Sequence, residues 1–205
     1  APGQLMEIRE VDIRGRRMKV WKNQLPTLRD TVRAFEKYGR AICLVYEDER
    51  VDYDVFRRAV AVLARDLHDR GVRKGDRVAL IMRNLPEWPV AFYAAAAIGA
   101  IVTPLNAWWT GGEIEFALRD SGSRTAIVDA ERYDRLLDHL GNCVDLERIL
   151  VARYPGTLAH RLAERLEDVI GAVAACGALP DLPLPEVALA PEDDATIFYT
   201  SGTTG

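Results

Sequence analysis

The sequence predicts an α/β fold with a helix-flanked, mostly parallel sheet, and three observations carry that prediction. Short apolar runs alternate with segments of helical period, at spacings that fit βαβ units. One run, Val78-Ala79-Leu80-Ile81-Met82, is continuously apolar, as in a strand covered on both faces. The helical segments open at Thr, Asp or Asn and close at glycine, so their punctuation is in place.

Taken in order, residues 6–22 read as two short strands around Arg14-Gly15-Arg16. Apolar and charged residues alternate there, which implies one covered face and an appendage ahead of the main core. Residues 1–26 are therefore read as a strand appendage and 27–205 as the α/β domain. Thr27 opens the first helix with Asp30 three residues on, a capping-box-like start. Leu28, Val32 and Phe35 share a face, and Gly39 closes it. A strand at 42–46, a charged turn and a short strand at 51–53 follow. From Asp54 a long helix turns Phe56, Ala59, Val60, Leu63 and Leu67 inward and stops at Gly71.

Residues 76–82 form the strand with the continuous apolar core. Asn84 is expected to cap the next helix, with Pro86 in its first turn and Glu87 at the third position. The run Ala94-Ala95-Ala96-Ala97 reads as a close contact of helix and sheet. Gly99 ends that helix before a short strand at 100–103. Trp108 and Trp109 stand beside a helix start and read as packing or edge-capping residues. Thr110 and Glu113 make a second capping box ahead of Ile114, Ala117 and Leu118. Then come a strand at 125–129, a helix at 131–140, a strand at 149–152 and an amphipathic helix at 158–173. Pro180, Pro183, Pro185 and Pro191 make 178–194 an extended surface connection.

The totals exclude several classes. A chain of 205 residues allows one sizeable core, or one domain with a small appendage. Hydrophobic content of 49% and charged content of 28% are those of a soluble globular protein. A net charge of -4 argues against nucleic acid as the main partner. Residues 1–10 carry no basic start leading into an apolar core, so no signal peptide is visible, and no apolar run is long enough for a transmembrane segment. Cys43, Cys143 and Cys176 form no C-x-x-C pair, which speaks against a disulfide framework or a zinc site and suits a cytoplasmic location. His68, His139 and His160 stand alone in charged, helix-like surroundings and read as surface or helix-face residues.

Chemistry concentrates at the end of the sequence. Residues 195–199, apolar, β-branched and aromatic, have the composition of a buried strand. They run into Thr200, Ser201, Gly202, Thr203, Thr204 and Gly205. The glycines let the backbone approach a ligand closely, and the hydroxyls add donors beside exposed N–H groups. Such a row suits an anion of several oxygens, a nucleotide polyphosphate being the common case. A plain polar turn has the same composition, and no Walker A spacing is present.

The whole string Tyr-Thr-Ser-Gly-Thr-Thr-Gly at 199–205 resembles the phosphate-binding signature of the adenylate-forming superfamily. That superfamily holds acyl-CoA synthetases, aryl-CoA ligases, luciferases and peptide-synthetase adenylation domains. Three further stretches fit in order: Gly75-Asp76-Arg77-Val78-Ala79, Asn84-Leu85-Pro86-Glu87-Trp88 and Gly99-Ala100-Ile101-Val102-Thr103-Pro104-Leu105-Asn106. Tyr53 and Asp120-Ser121-Gly122 fit as well, so the resemblance runs from about Leu28 to Gly205, to the N-terminal part of the large domain of acyl-CoA synthetases.

The resemblance implies an ATP-dependent acid–thiol ligase that makes an acyl-AMP and passes the acyl group to coenzyme A, with Mg2+ assisting. Thr200, Ser201, Gly202, Thr203, Thr204 and Gly205 would hold the phosphates, with Thr200 also contacting the metal. The appendage and residues 22–30 favour a fatty acid as substrate. An aryl-acid CoA ligase or an acyl-AMP ligase is the alternative within the class, and a non-catalytic nucleotide-binding or interaction module is the alternative outside it. The family's lysine after the loop, its adenine and ribose motifs, its acidic metal ligand and its mobile C-terminal domain match nothing here. No catalytic residue is therefore assigned, and the 205-residue chain is expected to be an incomplete domain, inactive alone. A peripheral membrane contact and a homo-oligomer stay open.

Overall fold

The computed structural model of the protein describes residues 6–173 and 178–200. Its first element is a hairpin of β1 (Ile8–Ile13) and β2 (Arg16–Trp21). Arg14 and Gly15 both take positive φ, as a two-residue hairpin turn requires. The expected covered face is only half covered: Val11, Ile13 and Val20 are half-buried, while Met18 and Trp21 are exposed.

Helix α1 (Leu28–Ala34) is capped by Thr27, whose hydroxyl accepts from the Asp30 N–H, and one 3-10 turn carries the chain on to Gly39. Strands β3 (Ile42–Tyr46) and β4 (Glu49–Asp52) pair antiparallel as a sheet of their own. Asp52 caps α2 (Tyr53–Asp69), whose inward residues are those the apolar stripe predicted.

The central sheet has five parallel strands. Strand β5 (Arg77–Ile81) lies between β6 (Ile101–Pro104) and β7 (Thr125–Asp129); β8 (Arg148–Ala152) and β9 (Ala163–Arg165) follow beyond β7. The helices between them are α3 (Glu87–Ala97), α4 (Gly111–Ser121) and α5 (Ala130–Leu136). The two-residue period of a strand divides the core. Val78, Leu80 and Met82 face α1, α2 and α3, whereas Ala79 and Ile81 face α4 and α5. The small side chains Ala94 to Ala97 are buried, as a close helix contact requires.

Three expectations fail here. Asn84 is not the cap of α3: Pro86 occupies that position without a side-chain hydrogen bond, and Glu87 turns inward to Arg153. The helix expected at 158–173 is replaced by β9 and a single turn, α6 (Glu167–Ile170). The open side of β8 needs partners for its backbone groups, and this segment supplies them: Ile149 N–H donates to Leu162 O at 2.8 Å and Leu166 N–H to Val151 O at 2.9 Å. Residues 195–199 are also not a fully covered strand. They meet the edge of β6 through one parallel bridge, Thr196 to Val102, and Phe198 is exposed.

Residues 178–194 are extended, as the prolines indicated. Side chains from α2 and the loop after it hold them. Arg57 forms two bonds with Asp181 at 2.7 and 2.9 Å, Arg65 donates to Pro183 O, and Lys74 donates to Ala188 O. Among the described residues no helix is long and apolar enough to cross a membrane.

Candidate functional site

The site is built at the C-terminal rim of the parallel sheet. From β5 the chain crosses to β6 on one side, and from β7 to β8 on the other, so the connections diverge between β5 and β7. Open α/β sheets offer a ligand crevice at such a divergence. The terminal segment reaches the same rim. Val102 N–H donates to Ala195 O at 2.9 Å and Ile197 N–H to Val102 O at 3.0 Å, so 195–197 run parallel to β6 and deliver Thr200 beyond its end.

Tyr199 anchors that delivery. Its hydroxyl donates to Asp120 Oδ2 at 2.6 Å and lies 3.4 Å from Ala117 O, both on α4. Its ring meets the Trp109 ring edge-on at 6.0 Å. Burial, and then the Asp120 carboxylate, push the Tyr199 hydroxyl up to about 12. Thr200, the next residue, is exposed. Of the sequence-predicted site residues it alone falls within the described part of the chain. Ser201, Gly202, Thr203, Thr204 and Gly205 lie outside the described residues, as does Cys176.

The rest of the rim is held by a buried ion pair that the sequence reading missed. Asp129 ends β7 and caps α5 through the Arg132 N–H at 3.0 Å, and its second oxygen accepts from the Arg83 N–H at 2.9 Å. The Arg132 guanidinium, only 1% exposed, pairs with Asp129 at 3.1 Å and donates to Ala107 O at 2.7 Å. Arg135 donates to Trp109 O at 2.9 Å. Carbonyls of the loop after β6 are thus fixed from α5. An aspartate at the end of an apolar strand was the one available signal.

The two tryptophans differ. Trp109 packs against Tyr199, as a packing residue would. Trp108 is 67% exposed and does not pack in the core; Arg83 from the end of β5 stacks over its ring at 4.1 Å. His139 lies on the face of the 3-10 turn at Leu137–Asn142, half-buried against Glu115 at 2.7 Å.

Thr200, the residue expected to contact a metal, stands exposed at the rim. No group of three or more His, Cys, Asp or Glu comes together among the described residues.

The family model described as AMP-binding enzyme matches residues 31–205. The long-chain-fatty-acid–CoA ligase FadD13 of Mycobacterium tuberculosis is 36% identical over 140 residues, which are 66% of this chain and 24% of that protein. The 4-coumarate–CoA ligase 2 of Oryza sativa is 32% identical over 162 residues, 73% of this chain and 26% of that protein. Among solved structures, the N-terminal domain of FACL13 from Mycobacterium tuberculosis superposes with a TM-score of 0.69 at 29% identity, over 88% of this chain and 42% of that one. The chain therefore spans about a quarter of the length of these two curated relatives.

Proposed function

The chain belongs to the family of AMP-binding enzymes, and on that premise we propose that the whole protein is an ATP-dependent, AMP-forming acid–CoA ligase that activates a fatty acid. The observation that supports this reading most is the run Tyr199–Gly205, whose first two residues stand at the C-terminal rim of the sheet and which the family match covers to its last residue.

Two anions must meet in such a reaction, a carboxylate and a phosphate, and charge builds on the departing pyrophosphate. Positioning and fixed donors reduce that repulsion, and no protein nucleophile is needed. ATP, with Mg2+ on its phosphates, supplies the adenylyl group when bound, and coenzyme A is the thiol acceptor. Within this chain the proposed work is narrow. The hydroxyls of Thr200, Ser201, Thr203 and Thr204 donate to the β- and γ-phosphates, and Gly202 and Gly205 let the backbone N–H groups approach. Thr200 also touches the metal. Tyr199 and Asp120 hold the start of the loop.

The test is ATP–pyrophosphate exchange by the full-length protein across a panel of fatty, hydroxy and aromatic acids. Exchange with a fatty acid is expected, and Thr203→Val with Thr204→Val should lower it by a hundredfold or more, since one such donor contributes about 3 kcal/mol. Unchanged exchange in the double variant would remove the loop from phosphate binding. A second reading, an aryl-acid CoA ligase, has support from the 32% identity to a 4-coumarate–CoA ligase, and exchange with aromatic acids alone would select it.

A further inference from the structure

Residues 195–197 are joined to β6 by very little. Among the described residues two backbone bonds hold them, both at Val102: its N–H donates to Ala195 O, and its carbonyl accepts from the Ile197 N–H. So short a pairing specifies its register weakly. A slip of one residue would put Phe198 or Thr200 where Tyr199 now meets Asp120 and Trp109. The register has to be fixed from outside the pairing.

The turn just ahead of Ala195 can fix it. Asp193 N–H donates to Ala190 O at 3.1 Å, and the Asp193 carboxylate accepts from the Ala190 N–H at 2.7 Å, so the turn is closed twice. Lys74, in the loop between α2 and β5, reaches the same carboxylate oxygen at 2.6 Å and donates to Ala188 O at 3.1 Å. Lys74, and then the Ala190 N–H, hold the Asp193 carboxyl below its ordinary value, so it stays charged at neutral pH.

The path of the lysine is built as well. Gly75 N–H donates to Gly99 O at 2.8 Å, which sets this loop against the end of α3. A Cβ on Gly99 would stand 3.0 Å from Lys74 Cγ and 2.6 Å from Leu189 Cδ2, and the residue has φ 76. Glycine there lets the lysine stem and the extended segment cross. A second cation, Arg14 at the hairpin tip, donates to Glu192 O and Asp194 Oδ1, both at 3.0 Å. The two grips differ in weight. The side chains of Arg14 and Asp194 are 64% and 62% exposed, and pairs so open contribute little, whereas those of Lys74 and Asp193 are 42% and 29% exposed. The hold on the register falls mainly to Lys74 and Asp193.

We propose that Lys74 and Asp193 are positioning residues for the ligase: the turn they close sets the register of 195–197 on β6 and so the place of Thr200, an inference that rests on reading 199–205 as the phosphate loop. They act through the backbone of 195–199 and not on the reactants.

The experiment measures two properties of the full-length protein: hydrogen exchange of the peptide spanning 195–199, and ATP–pyrophosphate exchange as ATP and acid are varied. In Lys74→Met and in Asp193→Asn, amide protection of 195–199 should fall about fivefold and the KM for ATP should rise by a like factor, the worth of one half-exposed charged bond. The KM for the acid and the melting temperature should stay at the parent's values. Lys74→Arg keeps the charge and the reach, so both readouts should stay near the parent's. Arg124→Met breaks the ion pair with Glu147 at the opposite rim of the sheet and should change neither. Unchanged protection of 195–199 in both variants, or an equal loss in Arg124→Met, would overturn the proposal. So would KM values for ATP and acid that rise together, the mark of a general loosening. A parent protein without pyrophosphate exchange would defeat the ligase reading instead, and hydrogen exchange alone would then decide whether Lys74 and Asp193 set the register.

Discussion

Arg153 shows how much one residue organises in this fold. It sits just past β8 with φ 57, a left-handed conformation uncommon for a side chain of its kind. Its guanidinium grips Glu49 with two bonds, at 2.8 and 2.9 Å, and Glu87 with one, at 2.8 Å. Its N–H donates to Glu167 at 2.6 Å. The pairing is asymmetric. Arg153 gains from two carboxylates and is held firmly protonated, whereas burial outweighs the cation at Glu87 and raises its carboxyl. Glu87 is 2% exposed, so Arg153→Met would strand a buried charge, at a cost of about 3 kcal/mol near neutral pH. The sign of the pH effect follows from the raised carboxyl. Its contribution is intact below the unfolded value, near 4.5, and is lost as pH rises through the higher folded value. Losing the cation lifts that folded value further, so the deficit of the variant should be smaller near about pH 5 than near about pH 8. Urea midpoints at the two pH values measure this, and an equal deficit at both would contradict it.

At the scale of elements, the extended segment 178–194 behaves as a strap fastened by helix α2. Arg57 reaches Asp181, Arg58 reaches Leu179 O, and Arg65 reaches Pro183 O. Arg57→Ala with Arg65→Ala should release the strap without unfolding the core. Cleavage at Glu186 by a glutamate-specific protease should then accelerate about tenfold, as the loss of charge-assisted bonds implies, with helical content unchanged. No acceleration would mean that the prolines, Leu184 and the remaining bonds from Arg58 and Lys74 hold the strap without Arg57 and Arg65. The same segment shows where sequence reading stops. Thr110 and Glu113 revealed the start of α4 because both sides of that bond lie within one turn. Prolines likewise declared the extended path locally. The arginines of α2 carried no such mark: on a helical pattern they look like a solvated stripe, and their partners lie more than a hundred residues on. The segment 158–173 misled for the same reason, since its apolar spacing fits a helix while the unpaired edge of β8 demands a strand.

Across the whole molecule, five parallel strands, the divergence between β5 and β7, and the bridge beside β6 all serve to present Thr200 at one rim. The run Tyr199–Gly205 stands out in the sequence because its hydroxyls and glycines are consecutive residues. What holds its start does not, because Asp120 and Trp109 meet Tyr199 only through the topology. That support gives the last prediction, which rests on the proposed phosphate role of the loop. Tyr199→Phe keeps the ring against Trp109 and removes the bond to Asp120. A hydrogen bond to a charged group contributes about 2 kcal/mol, and losing it frees the residue directly before Thr200. In the full-length protein the KM for ATP should rise severalfold, while the maximal exchange rate falls far less than in the Thr203→Val, Thr204→Val variant. On that proposal the ring of Tyr199 is a placing group, and the hydroxyls beyond it are the donors. The alkaline limb supplies an independent readout. A Tyr199 hydroxyl pushed up to about 12 contributes stability that is full below the ordinary tyrosine value of 10.0 and is lost as pH rises through the folded value. Tyr199→Phe should therefore flatten the fall in stability over that window. A variant with unchanged KM and an unchanged alkaline limb would show that the Asp120 contact does not position the loop.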